Sequence, residues 1–419
     1  MKKVIFSFVF LISNTCFSQS IKLSDLLLKA RNYNPQASVL TFVKQATQQQ
    51  LKQLNGGYLP QAGLNAQGTW QSEVTSIAIK LPNVEILPPP KDQYKITLDV
   101  NQNIWDGGLI SKQKNVAIAS QKVEEKRIET DLQQLNEQVS SLFFGVLLAS
   151  KQKENAKLVL KEILSKIEKA KGAIANGVAI KSNLLGLLAK KLEIEQQIVE
   201  IASRKKSGIE ALGLLTGETI PLDASFETPV FSTINFEENN RLELDLIEAQ
   251  NVNLIASEQV VKAKYSPKLS LFASSGYGRP ALNFLARDFN TFFIGGISFK
   301  MPLSQLYSGG LSAEIQQLKI NQLKLGKQKD NFLLISKLKT NALMNDISRL
   351  EDLIKSDSEI ITIREQIRLV AEAQLENGII TTSDFLTELN NEDFARQAFT
   401  IHQIQLLQIK QNLKLALGQ

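Results

Sequence analysis

The chain has 419 residues, of which 21% are charged and 43% hydrophobic, and a formal net charge of +6. That balance excludes a disordered chain and a helical membrane protein, and the dispersed basic residues, with no run of five or six like charges, argue against nucleic-acid binding. One histidine and one cysteine give no cluster for metal or nucleophile chemistry, and no phosphate loop or nucleophile elbow is present. The sequence therefore assigns no catalytic residue, no metal and no cofactor, and the chain reads as a non-enzyme.

Residues 1–18 have the layout of a secretory signal peptide: Lys2-Lys3, an apolar stretch from Val4 to Ile12, and a small-residue site around Cys16-Phe17-Ser18. The mature chain would begin near Gln19. Lipidation of Cys16 is the alternative, although Ser13, Asn14 and Thr15 before it fit that processing poorly. No later segment approaches the ~18–20 apolar residues of a membrane helix. An exported chain of this kind is either soluble or crosses a membrane as strands.

Residues 22–54 read as a helix with Ser24 as N-cap, a kink at Asn34-Pro35 and a stop at Asn55-Gly56-Gly57. Residues 60–71 alternate, with Ala62, Leu64, Ala66, Gly68 and Trp70 against Gln61, Asn65, Gln67 and Thr69. After a loop over 72–93, residues 94–105 alternate again, with Tyr94, Ile96, Leu98, Val100 and Ile104 against Lys95, Thr97, Asp99, Asn101 and Asn103. One face of each strand is apolar with terminal aromatics, and the other is rich in amides and hydroxyls. That is the signature of a transmembrane strand with a wet lumen.

At Trp105-Asp106-Gly107-Gly108 the period changes from 2 to 3.6, and a helix of about 70 residues follows, on the order of 100 Å long. Asn176-Gly177 breaks it. A return helix ends at Thr216-Gly217. The plan then repeats. A linker over 219–240 precedes a helix from about 241. A strand follows Pro267, with Leu269, Leu271, Ala273 and Tyr277 against Lys268, Ser270, Ser274 and Gly276. Another strand, about 291–301, places Phe293, Ile297, Phe299 and Met301 on one face. Tyr307-Ser308-Gly309-Gly310 is a second joint, expected to act as the first does with a different aromatic and cap. A long helix from Leu311 breaks at Asn377-Gly378, and a return helix ends at Gly418. The expected organisation is thus a signal peptide (1–18), a first repeat (19–218), a linker (219–240) and a second repeat (241–419).

Four strands cannot close a barrel. In lipid they would leave two edges of unpaired backbone groups, each costing several kcal/mol, so the chain must share a barrel with copies of itself. The helices would continue as a second cylinder, packed laterally through stripes such as Leu158, Ile163, Ile167 and Ala170. The two hairpin tips, Gly177-Val178-Ala179-Ile180 and Gly378-Ile379-Ile380-Thr381, put apolar residues at the end of a solvated rod, which suggests a docking partner. His402 is expected at a surface position on a helix. The acids are expected to be solvated on helix faces.

Over essentially its whole mature length the chain resembles the TolC-type outer-membrane efflux channels. The residues that carry this are Asn34-Pro35, Leu59-Pro60, Trp105-Asp106-Gly107-Gly108, Asn176-Gly177-Val178, Leu214-Leu215-Thr216-Gly217, Ser266-Pro267-Lys268-Leu269-Ser270-Leu271 and Asn377-Gly378-Ile379. The resemblance implies an α+β membrane protein of two structural repeats with four transmembrane β-strands per chain. As a homotrimer it would form a 12-stranded barrel in outer-membrane lipid, continuing into a long periplasmic α-helical barrel. It implies a passive efflux duct that docks on a periplasmic adaptor (membrane fusion protein). Through the adaptor it would serve an inner-membrane transporter of the resistance-nodulation-division, ABC or major-facilitator type. A channel for type I protein secretion and a periplasmic coiled-coil adaptor are the alternatives. The family's acidic aperture rings align with Asp384 and Thr387, with Glu388 adjacent, so the double ring is reduced. An acid at Asp384 also suits the first turn of a helix. The family's polar gate links fall on Asn183, Leu375 and Ile380, where no charge is present.

Overall fold

A computed structural model describes residues 20–76, 87–176, 180–231, 241–303 and 305–418. The expected signal peptide with Cys16, the tip residues Gly177, Val178 and Ala179, and positions 232–240 of the expected linker lie outside the described residues. The elements run α1 (Leu23–Tyr33), α2 (Pro35–Gly56), β1 (Gln61–Trp70), β2 (Asp92–Trp105), α3 (Leu109–Ala175), α4 (Lys181–Thr216), α5 (Leu242–Lys264), β3 (Lys268–Arg279), β4 (Asn290–Lys300), α6 (Gln305–Ser308), α7 (Gly310–Glu376) and α8 (Thr382–Ala416). They form two compact units. One holds 39–129 and 242–332, and the other holds the segments up to Ser38, 130–241 and 333–419. Each unit draws on both halves of the sequence.

The first unit contains the sheet, in the order β1-β2-β3-β4, antiparallel throughout. The strand boundaries agree with the alternating runs to within two residues, except that Met301 falls just beyond β4. Register places Leu64 beside Leu98, Asp99 beside Ser274, and Leu271 beside Ile297. A bulge between Asn103 and Trp105 lets Trp105 pair with Leu269 on the apolar face. The strands β1 and β4 each have one neighbour, so the sheet has two open edges.

The second unit is helical. Asn34 explains the break between α1 and α2. It is extended (ψ 127°), as a residue before proline prefers, and its side chain accepts from the Gln36 N–H at 2.9 Å. Ser24 is not the N-cap expected of it. Lys22 holds that position with no side-chain cap, and Ser24 lies in the first turn, donating to Asp25. At the far end of α4, Gly217 takes φ 72° and its N–H returns to the Gly213 carbonyl, with the Tyr33 ring packed on its Cα. The stretch after Gly217, expected as a linker, is held where described. Ile21 and Phe226 form a bridge, and the Phe226 ring lies 5.5 Å from buried Phe143.

Packing among α3, α4, α7 and α8 follows a seven-residue rhythm. Ala149, Ala156 and Ile163 on α3 and Leu187, Ile194 and Ile201 on α4 are buried in one cluster with Ala371, Phe385 and Leu389. Seven-residue spacing keeps one seam facing its partner along a long helix. Of the stripe read from the sequence, Ile163 and Ile167 are buried in this cluster and Ala170 packs against it, but Leu158 is 63% exposed.

Candidate functional site

The sheet has two chemically distinct faces. On one, Leu64, Trp70, Tyr94, Ile96, Leu98, Trp105, Leu271, Tyr277, Phe293, Ile297 and Phe299 are all exposed. Left in water, each forgoes a part of the roughly 1.5–3 kcal/mol that full burial of a large apolar side chain contributes. Aromatics close both ends of this face. Trp70 lies at one end, where Phe289 stacks on Tyr94 and on Tyr277 and the Arg279 guanidinium, bonded to Asp92 at 2.5 Å, rests over Phe289. Trp105 and Phe299 lie at the other end. On the opposite face Asp99 accepts from Asn65 (2.6 Å), Thr97 (2.9 Å) and Ser274 (2.5 Å). Those three bonds tie β1, β2 and β3 together through polar atoms on a face that must be wet. Among the described residues no helix is long and apolar enough to cross a membrane.

The joints differ. Asp106 is buried, with Oδ1 accepting from the Gly108 N–H (2.9 Å) and Oδ2 from the Ile110 N–H (2.6 Å). It thereby caps α3, as expected. Gly107 and Gly108 take φ 69° and 81°, and a Cβ on Gly107 would collide with Ser266. Nearby, Lys114 bonds Asn55 and lies over the Tyr58 ring. Burial, with the Asp106 charge, pushes the Tyr58 hydroxyl above its ordinary value. The second joint does not repeat this design. Ser308 ends an additional short helix, α6. It is exposed, and it accepts from the Gly310 N–H at only 3.4 Å. Tyr307 is 82% exposed and Gly309 (φ 66°) faces open space. Here α7 is anchored one turn in, by Glu314, which accepts from Lys264 (3.0 Å) and Tyr265 (3.1 Å).

At the hairpin end of the helical unit, Gly378 takes φ 72° and the Ile379 N–H reaches back to the Gln374 carbonyl, ending α7. Thr381 then caps α8 reciprocally. Its Oγ1 accepts from the Asp384 N–H (3.2 Å), while Asp384 Oδ2 accepts from the Thr381 N–H (2.9 Å) and hydroxyl (2.7 Å). Those bonds from Thr381 hold the exposed Asp384 carboxyl below its ordinary value, so it stays charged. Asp384, Thr387 and Glu388 line one cleft of about 510 Å³ with Ile363, Ile367 and Val370 of α7. Thr387 is occupied by the Ser383 carbonyl, and Glu388 meets Arg364 at 3.5 Å. Of the tip residues, Ile180 is 66% and Ile379 70% exposed, whereas Ile380 packs against the helical core. The α4 start at Ile180 has no side-chain cap.

Sequence reading missed a charged network on α3, α7 and α8. Arg368 donates to Glu392 (2.6 Å), Glu162 (2.9 Å) and Glu372 (3.0 Å). Arg396 joins Glu392 to Glu365, and the buried Lys166 bonds Glu372. Positions Leu375 and Ile380 carry no charge and pack against the hydrophobic cluster, but the acids and bases a turn or two away tie these helices together. Glu392 is buried, contrary to the expectation of solvated acids. Burial lowers the guanidinium of Arg368, but Glu162 and Glu392 outweigh that and hold it above its ordinary value. Burial raises Glu162, more than Arg368 lowers it, and the charges of Glu372 and Glu392 add to the rise. One guanidinium is thus shared among three carboxylates, at 2.6, 2.9 and 3.0 Å. His402 is likewise not a plain surface residue. Its Nδ1 lies 2.6 Å from Oδ2 of the buried Asp357. Arg368–Glu372 and Glu392–Arg396 are local pairs four residues apart, but Glu162–Arg368, Arg368–Glu392 and His402–Asp357 join residues distant in sequence, and no local pattern marks those.

Residues 26–218 match the family described as outer membrane efflux protein. No curated protein sequence matches the chain. Among solved structures, the fold is similar to the outer membrane protein VceC of Vibrio cholerae, with a TM-score of 0.69 and 17% identity, covering 94% of this chain and 96% of that one. It is also similar to the Campylobacter jejuni CmeC outer membrane channel, with a TM-score of 0.66, 16% identity, and 94% and 85% covered. The open-state MtrE outer membrane channel of Neisseria gonorrhoeae gives 0.67 and 16%, with 94% and 88% covered. The resemblance to TolC-type outer-membrane channels therefore holds for the family match over 26–218 and for the fold over nearly the whole chain.

Proposed function

We propose that this chain, similar in its first half to outer membrane efflux proteins and in its whole fold to outer-membrane channels, is the outer-membrane duct of an efflux system. The observation that carries this reading is the sheet: two open edges, one largely apolar exposed face with aromatic ends, and an opposite face that carries Asp99 with its hydroxyl and amide donors. In lipid the open edges must be paired, and the pairing partner with matching length is another copy of the same sheet. Three copies give a twelve-stranded barrel with a solvated lumen, and the long helices of the two repeats line a tunnel on the periplasmic side. Transport through such a duct is passive, and the energy comes from an inner-membrane transporter coupled through a periplasmic adaptor. Exposed Ile180 and Ile379 at the hairpin tips suit the docking of that adaptor.

The cleft holding Asp384, Thr387 and Glu388 is the proposed aperture. Its charge is carried by Asp384, because Glu388 faces Arg364. The Arg368 network fixes the spacing of α3, α7 and α8 and so resists widening of that end. The test is reconstitution. Protein purified from outer membranes and added to planar lipid bilayers is expected to give discrete, stable conductance steps. Protein that binds bilayers without conducting would overturn the reading.

A further inference from the structure

The polar face of the sheet carries four charged side chains in the described strands: Lys95, Asp99, Lys268 and Lys300. Two of them are committed to neighbours within the sheet. The ammonium of Lys95 lies 5.0 Å above the Phe292 ring, and Asp99 is held by its three donors. The other two face each other. Register pairs Lys268 of β3 directly with Lys300 of β4, at the end of the sheet where the chain passes into α5 and α7. Like charges directly opposite on a sheet are destabilising. Among the described residues neither lysine makes an ion pair or a hydrogen bond, and Glu314, the acid bonded to the chain just before β3, is occupied by Lys264 and Tyr265.

Protection of a strand edge does not account for them: β3 lies between β2 and β4, and the edge of β4 is the one that pairs with another copy in a shared barrel. Lipid headgroups do not account for them either, because they meet the apolar face, and both lysines lie on the other. We propose that Lys268 and Lys300 form a cationic collar at the periplasmic end of the barrel lumen that draws anionic solutes into the duct. This rests on the channel reading. In a trimer the pair is repeated around the axis, and a ring of one sign in a confined lumen raises the local concentration of counter-ions. The solutes it favours are small anions: halide, carboxylate and sulfate.

Reversal potentials of the reconstituted channel under a KCl gradient test this. With Lys268→Gln and Lys300→Gln combined, the chloride-to-potassium permeability ratio should fall by about twofold or more at ~0.1 M salt. The difference should shrink at ~1 M, where the screening length drops from about 10 Å to about 3 Å. Lys300→Gln alone, on the open edge, should give roughly half the effect and serves if the double variant does not assemble. Conducting variants whose ratio equals that of the unmodified channel at low salt would overturn the collar and leave the channel reading standing. No conductance from the unmodified protein would overturn both.

Discussion

The two halves of the chain carry the same order of elements, yet each is fastened at a different place. In the first half the joint is closed by a buried aspartate with two backbone partners, while its return helix starts at Ile180 with no side-chain cap. In the second half the joint is an exposed serine with one long hydrogen bond, while its return helix starts with the reciprocal Thr381–Asp384 cap. A repeated pattern of periodicity and glycine therefore specifies where strands become helices. It does not specify which polar atoms close each junction.

The largest effect should come from the residue on which both halves depend. Arg368→Ala leaves Glu392 and Glu162 without their shared cation and should cost about 3–5 kcal/mol, read as a drop in thermal unfolding temperature in detergent. A loss comparable to that of an exposed pair such as Lys327–Asp330 would show the network to be surface decoration. The joints come next. Gly107→Ala forces a left-handed backbone and a collision with Ser266, and should cost more than about 2 kcal/mol, whereas Gly309→Ala, in open space, should cost about 1. Equal losses would erase the contrast between the joints. Asp106→Ala should then cost about 1–2 kcal/mol against less than ~0.5 for Ser308→Ala. At the tips, Asp384→Ala should lower the unfolding temperature slightly and lower cation preference in single-channel recordings; a stability loss with unchanged selectivity would leave Asp384 only its capping role.

The smallest expected effect is a pH dependence. Glu162 is raised above the ordinary glutamate value by burial, so between that value and its folded value the folded chain holds a proton that the unfolded chain lacks. Its contribution is fully present below the ordinary value and is lost as pH rises through the folded one. Glu162→Gln should remove that slope and raise stability at neutral pH. Unfolding curves with the same pH slope in both proteins would contradict the assignment.

The architecture was legible because its signals are local. Alternation in 60–71 and 94–105, glycines at 107–108 and 309–310, and long proline-free helical runs each announce themselves within a few residues. The exceptions have physical reasons. Ser24 missed the N-cap because α1 starts two residues earlier than a Ser24 cap requires, at Leu23. At Tyr307-Ser308 the chain turns through one extra helical turn, which an aromatic–serine–glycine string does not distinguish from a direct joint. The Arg368 network and the His402–Asp357 pair were invisible because each member, taken alone, looks like a residue on a solvated helix face. Only the packing of α3, α7 and α8 brings Glu162, Arg368 and Glu392 within hydrogen-bonding distance.

The proposed duct requires the sheet to be one part of a shared barrel, since open strand edges in lipid must be paired. The direct test is the molar mass of the protein particle after detergent extraction from outer membranes, corrected for bound detergent. Three chains per particle is the predicted result. A single chain that stays in solution without detergent would contradict it.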